Sequence, residues 1–229
     1  MSKHIDIIAN SYDNAITRKS GVNPYKNLPE HIVNLPEYQE YLKLNAISIS
    51  DSGRDEVKDY LTPKKGQMFV DLGCCLNLMF NGYDKWESTY YGIDISSKTI
   101  DLVKKHVNNN NLHIGSLYCG GIHKIPYESN FFDIGACIGT LEYFEAEYVK
   151  KAILEMHRIM KPNGKLIIDV PNLKSSLYKI NMLIEEHIGR PNKYNFTNQE
   201  FNNFLSDYFR IIKIENVVGM KQYFLTCDK

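Results

Sequence analysis

Two acids and one glycine stand out by residue type and spacing. Val70-Asp71-Leu72-Gly73-Cys74 closes a short apolar run, and Asp94 closes another, 21 residues beyond Gly73. In an open α/β sheet, ligands bind outside the carboxyl ends of the strands, near the point where strand order reverses. A glycine there lets the backbone approach a ligand closely. An acid at the end of the second strand can accept both hydroxyls of a ribose in a bidentate grip. The same spacing also fits an acid that merely caps the next helix, so spacing alone leaves both uses open.

Groups placed in this way need strands that alternate with helices. Gln67–Asp71 and Tyr90–Asp94 are short apolar runs between turn signals, the pattern of buried parallel strands. Leu112-His113-Ile114 reads as a weaker third strand and Phe132–Ile138 as a fourth. Lys165–Val170 reads as a fifth, after a turn at Lys161-Pro162-Asn163-Gly164. Ser97 is expected to cap a helix bearing Ile100, Val103 and Val107, and a second helix is expected over Ala146–Met160. Such alternation means right-handed βαβ units and a mostly parallel sheet. The tail breaks the rhythm. Thr197-Asn198-Gln199-Glu200 is a capping box, and strand-like runs at Phe209–Val217 and Tyr223–Cys227 are joined around Gly219. A hairpin of that kind adds an antiparallel strand at one edge.

Residues 1–60 form a polar lead-in, with helical spacing over Ile5–Ala15, Glu37–Leu44 and Glu56–Leu61, broken at Asn23-Pro24, Leu28-Pro29 and Thr62-Pro63. The 229 residues fit one large domain, and 27 Lys and Arg balance 27 Asp and Glu. No basic surplus points to nucleic acid, and no apolar run has the length of a signal peptide or membrane span. A cytoplasmic protein with no membrane association is expected. Five cysteines, at 74, 75, 119, 137 and 227, read as reduced thiols, and neither C-x-x-C nor ligand-spaced histidines point to a metal.

Phe69-Val70-Asp71-Leu72-Gly73-Cys74 resembles the first motif of class I S-adenosylmethionine (SAM)-dependent methyltransferases, and Gly92-Ile93-Asp94-Ile95-Ser96 resembles their second. Ile125–Asp133 is similar to the stretch leading into strand four, and Gly139-Thr140-Leu141-Glu142-Tyr143 to the segment after it. Met160–Leu166 is similar to the family's turn into strand five. Five motifs in order over roughly residues 66–227 resemble the UbiE/UbiG-like small-molecule methyltransferases. The resemblance implies a Rossmann-like, doubly wound α/β fold. Its seven-stranded sheet has order 3-2-1-4-5-7-6 with strand 7 antiparallel and an N-terminal helical extension. Residues 1–60 would be a helical lid and substrate segment, and 61–229 the SAM-binding domain. Asp71, Gly73, Cys74 and Asn77 would lie at the methionine end of SAM and Asp94 at the ribose. Ile95 and Ile122 would lie by the adenine, and Gly139 and Thr140 beneath the sulfonium. Tyr12, in Ser11-Tyr12-Asp13, would close over the cofactor, although an amphipathic surface helix fits those residues equally.

Two departures from the family pattern matter. The second and third glycines of the first motif are replaced by Cys75 and Asn77, of which asparagine tolerates positive φ better. The acid that accepts the adenine amino proton falls at Ser116 or Gly121, and neither is acidic. Methyl transfer is an in-line displacement that needs alignment, a dry site and, for an alcohol or amine, a base. His123 and Tyr143 are the catalytic candidates, Tyr143 better suited to orient an acceptor than to deprotonate it. Glu142 and His187 are weaker ones. Tyr25, Tyr38, Tyr41, Tyr178 and Tyr194, with Asn172, Lys174 and Arg190, suit a small polar or aromatic acceptor. Competing readings are a SAM-binding protein with other chemistry, a non-catalytic binding module, and an NAD enzyme, against which the missing G-x-G-x-x-G counts.

Overall fold

The computed structural model describes residues 3–17, 27–49 and 55–229. Tyr25 lies outside the described residues. Seven strands form one sheet: β1 (Met68–Leu72), β2 (Thr89–Asp94), β3 (Ser116–Cys119), β4 (Phe132–Cys137), β5 (Met160–Pro171), β6 (Phe209–Val217) and β7 (Met220–Cys227). Their order is β3-β2-β1-β4-β5-β7-β6, as the resemblance implies. The first five strands pair in parallel, and β7 runs antiparallel between β5 and β6. The helices are α1 (Lys3–Thr17), α2 (Glu30–Val33), α3 (Tyr38–Ile49), α4 (Asp55–Leu61), α5 (Asn77–Phe80), α6 (Ser97–Asn109), α7 (Ala146–Ile159), α8 (Ser176–His187) and α9 (Asn198–Ser206).

Period-two alternation sends successive strand residues to opposite cores. Val70, Ile93 and Ile168 pack with Val149, Ile153 and Met156 of α7, and with Phe201 and Leu205 of α9. Phe69, Tyr90 and Ile167 pack on the other face with Val57 and Leu61 of α4 and Ile100 and Val103 of α6. A smaller cluster joins Ile32 of α2 and Tyr41 of α3 to Ile180 and Ile184 of α8. The N-terminal helices therefore pack against both the sheet domain and the segment between β5 and β6.

Three sequence expectations need correction. The third strand starts at Ser116, opposite Tyr91, and not at Leu112. Asn111 turns with φ 50°, and Leu112 and Ile114 then pack partly buried under the sheet before pairing begins. Ser96, not Ser97, caps α6: its hydroxyl accepts from the Thr99 amide at 3.0 Å. The fifth strand starts at Met160, which pairs with Phe132 before a register irregularity. Lys161–Gly164 is thus an interruption inside the strand, with Asn163 at φ 60° and Lys161 paired to Asp133 at 2.8 Å. The helix α8 falls in a stretch for which no regular element was expected.

The capping box is present as read. Thr197 Oγ1 accepts from the Glu200 amide at 3.2 Å, and Glu200 Oε2 accepts from the Thr197 amide at 2.9 Å. Thr197→Ala is expected to cost about 1 kcal/mol, read in urea as a lower midpoint at unchanged slope.

Candidate active site

Strand order reverses at β1, which has β2 on one side and β4 on the other. At the carboxyl ends of these three strands lies a cavity of about 180 Å³, open at one side. Its polar end holds Asp94, and its floor holds Gly73, Gly139 and Thr140. Ile8, Ile95, Ile122, Phe144 and Tyr148 make an apolar wall, while Tyr12 and Tyr143 stand at one side.

Asp94 is buried, yet its carboxylate is well supplied with donors. Oδ2 accepts from the Cys75 amide at 2.9 Å and Oδ1 from the Ser96 amide at 2.8 Å. Burial nevertheless pushes its pKa up, against the pull of those amides. A carboxylate has about four lone-pair sites, so acceptor capacity remains for a ligand hydroxyl. The sequence left open whether this acid binds a ligand or caps the next helix. The structure gives the cap to Ser96 and places Asp94 on the cavity.

Gly73 has φ +76°, and a Cβ there would lie 2.1 Å from Thr140 Oγ1. The loops after β1 and β4 therefore meet with no room for a side chain. Cys75, in the place of the family's second glycine, takes φ 39°. A non-glycine residue held there is strained. Asn77 carries none of this strain, because it opens α5. Its side-chain amide instead donates to Asp71 Oδ2 at 3.2 Å, and the Tyr90 hydroxyl donates to the same oxygen at 3.0 Å. Asp71 is therefore sealed beneath the loop and does not line the cavity. Cys74 is also absent from the lining: it is fully buried on the face shared with Tyr90 and Leu78.

The chain after β3 reaches the cavity through Gly120 and Ile122. Ser116 stands at the first residue of β3, bonded to the Tyr127 hydroxyl, and does not reach the wall. Neither Ser116 nor Gly121 is among the described residues that line the cavity.

His123 belongs to a neighbouring groove with Lys3, His4, Lys151 and Lys193. Phe144 and Tyr148, stacked at 4.0 Å, form a wall common to groove and cavity. Burial, and then Lys151, lower the His123 pKa, so the imidazole is neutral at pH 7. Tyr143 does line the cavity. Its hydroxyl lies 3.2 Å from that of Tyr12 and donates to Glu185 Oε2 at 3.2 Å. Burial holds its pKa well above the ordinary phenol value, so it stays protonated. His187 is exposed in the last turn of α8.

The helix α1 lies against the cavity through Ile8 and Tyr12, one turn apart. Asp13 Oδ1 accepts from Ser96 Oγ at 2.6 Å, tying α1 to the start of α6. Of the residues named from sequence, Tyr12, Gly73, Asn77, Asp94, Ile95, Ile122, Gly139, Thr140 and Tyr143 converge on one cavity, while Asp71, Cys74 and His123 do not. Sequence reasoning missed Ile8, Gly120, Ile138, Phe144 and Tyr148, while Cys75, noted as a departure from the first motif, also lines the cavity. The i, i+4 pair Ile8–Tyr12 of α1 was a usable signal. Among the described residues, no group of three His, Cys, Asp or Glu side chains converges as around a metal ion.

Residues 70–168 match the family described as a methyltransferase domain. The ubiquinone biosynthesis O-methyltransferase of Coxiella burnetii is 30% identical over 118 residues, which cover 51% of this chain and 49% of that protein. The match thus spans about half the length of each. An uncharacterized protein of Methanocaldococcus jannaschii is 26% identical over 200 residues, covering 87% of this chain and 76% of that protein. Among solved structures, the fold is similar to geranyl diphosphate C-methyltransferase from Streptomyces coelicolor A3(2), crystallised with Mg2+, geranyl diphosphate and S-adenosyl-L-homocysteine. The TM-score is 0.67 at 13% identity, over 99% of this chain and 98% of that one. Residues 70–168 thus match a methyltransferase domain, and the seven-stranded fold is shared with a methyltransferase of known structure.

Two outcomes follow for the loop after β1. Cys75→Gly is expected to stabilise the ligand-free protein by about 1 kcal/mol, strain relief exceeding the entropy cost of glycine, read as a higher urea midpoint. Burial raises the Cys75 thiol pKa to about 11. Its alkylation by iodoacetamide, followed by peptide mass spectrometry, should therefore quicken about tenfold per pH unit between neutrality and that value.

Proposed function

We propose that this protein transfers a methyl group from SAM to a small polar or aromatic acceptor. Residues 1–60 act as a helical lid and substrate segment, and residues 61–229 as the SAM-binding domain. The observation that carries this reading is the cavity at the switch point of a methyltransferase domain, with Asp94 at its polar end and an apolar wall opposite. When bound, SAM supplies an electrophilic methyl group on a sulfonium.

The chain's own residues supply alignment and exclusion of water, the main needs of a displacement with a good leaving group. Asp94 accepts the ribose hydroxyls, and Ile95 and Ile122 pack on the adenine. Gly73, Gly139 and Thr140 form the floor beneath the reacting end. Asn77 acts indirectly by holding Asp71 under the loop. Tyr12 and Tyr143 hold their hydroxyls at the side from which an acceptor enters, and Tyr143 orients that acceptor as a neutral donor. Asp94 is the only carboxylate among the described cavity-lining residues. That favours acceptors that are acidic or already nucleophilic over simple alcohols.

Titration calorimetry with SAM and S-adenosyl-L-homocysteine tests the cofactor site. Both are expected to bind, and Asp94→Ala to weaken each at least tenfold, about 1.4 kcal/mol. Unchanged affinity in that variant removes the ribose assignment. A second reading, SAM binding without methyl transfer, draws on the strained Cys75 and on there being no histidine or second carboxylate among the described cavity-lining residues. Binding of both ligands, with no methyl transfer from labelled SAM to any of a panel of phenols, carboxylic acids, amines and thiols, would favour it. No binding by the wild-type protein at about 0.5 mM would favour a non-catalytic role.

A further inference from the structure

We propose that Arg190 is a positioning residue that holds Tyr12 over the cavity, so that cofactor retention depends on the segment between α8 and α9. This rests on the reading of the cavity as the SAM site.

The Arg190 guanidinium carbon lies 3.9 Å from the centroid of the Tyr12 ring. Its Nε donates to Ser11 Oγ at 3.2 Å, so one side chain grips two consecutive residues of α1. A terminal nitrogen of the same group lies 3.4 Å from Glu185 Oε2. That oxygen also accepts from the Tyr143 hydroxyl at 3.2 Å, which in turn lies 3.2 Å from the Tyr12 hydroxyl. Tyr12, Arg190, Glu185 and Tyr143 therefore close a ring, two of whose members line the cavity.

The side chains of Arg190 and Glu185 are only 11% and 10% exposed, so salt screens their attraction little. A guanidinium over an aromatic face also gains when water is excluded. The backbone fixes the geometry from behind. Gly189 turns at φ +88°, and the Arg190 amide donates to the Glu185 carbonyl at 2.8 Å. Only a planar fork can lie flat on a ring while donating sideways to Ser11, so lysine cannot substitute.

The test combines three measurements: S-adenosyl-L-homocysteine affinity by calorimetry, its dissociation rate by stopped-flow tyrosine fluorescence, and hydrogen exchange over residues 3–17 of the ligand-free protein. Arg190→Ala is expected to weaken binding about tenfold, mainly through faster dissociation, and to speed exchange in α1. Arg190→Lys is expected to restore neither. On a Tyr12→Ala background, Arg190→Ala should change affinity less than about twofold, because the ring it holds is gone. Wild-type affinity in Arg190→Ala, or an equally large effect without Tyr12, would overturn the proposal. If Arg190→Ala fails to fold, Arg190→Lys carries the same comparison, and wild-type behaviour in it overturns the proposal. Failure of the wild-type protein to bind would overturn the cofactor reading instead. Exchange in α1 would then decide the clamp alone, with unchanged protection in the variant counting against it.

Discussion

One buried carboxylate joins the two turns on which the cavity depends. Asp94 ends β2 and accepts amides from the loop after β1 and from the cap of α6. A charge placed there is costly, and burial raises its pKa accordingly. The two amides offset part of that cost, which ties the path of each loop to the ionised acid. The Cys75 amide is one of the two donors, so the strained residue and the acid support one another. A structure that left the acid dry and unpaired would instead favour its protonated form.

Much of the fold was legible because the sheet repeats a simple rule. Buried parallel strands read as short apolar runs, and β1, β2, β4 and the two terminal strands lie close to where those runs were found. The third strand was misplaced because Leu112 and Ile114 are apolar for packing under an edge and not for pairing. Its actual residues, Ser116–Cys119, are only partly buried or exposed and carry little periodic signal. The start of β5 was missed for the opposite reason. Pro162-Asn163-Gly164 has the chemistry of a turn, yet it is accommodated as an irregularity within an extended strand.

The cavity was legible at its floor and polar end, and less so at its walls. Glycines and an acid at strand ends announce themselves by type. Asp71 and Cys74, on either side of Leu72-Gly73, do not line the cavity, because strand alternation and the turn send their side chains beneath the loop. The wall residues Phe144 and Tyr148 look like ordinary core aromatics until α7 is placed. The partnership of Tyr12 with Arg190 has no sequence signal, since the residues meet only after both terminal segments have packed.

That last contact has a consequence for how the chain is made. Ser11 and Arg190 lie 179 positions apart, yet they hydrogen-bond. On a ribosome, α1 emerges well before its guanidinium partner, which follows only after β1 to β5 have been synthesised. The five parallel strands can form meanwhile, because all of them precede residue 172. The helix α1 thus gains its Arg190 contact later than its tie to Ser96. Until α1 packs, the apolar faces of Ile5 and Ile8, both buried in the finished core, stay exposed to whatever else the cell offers them.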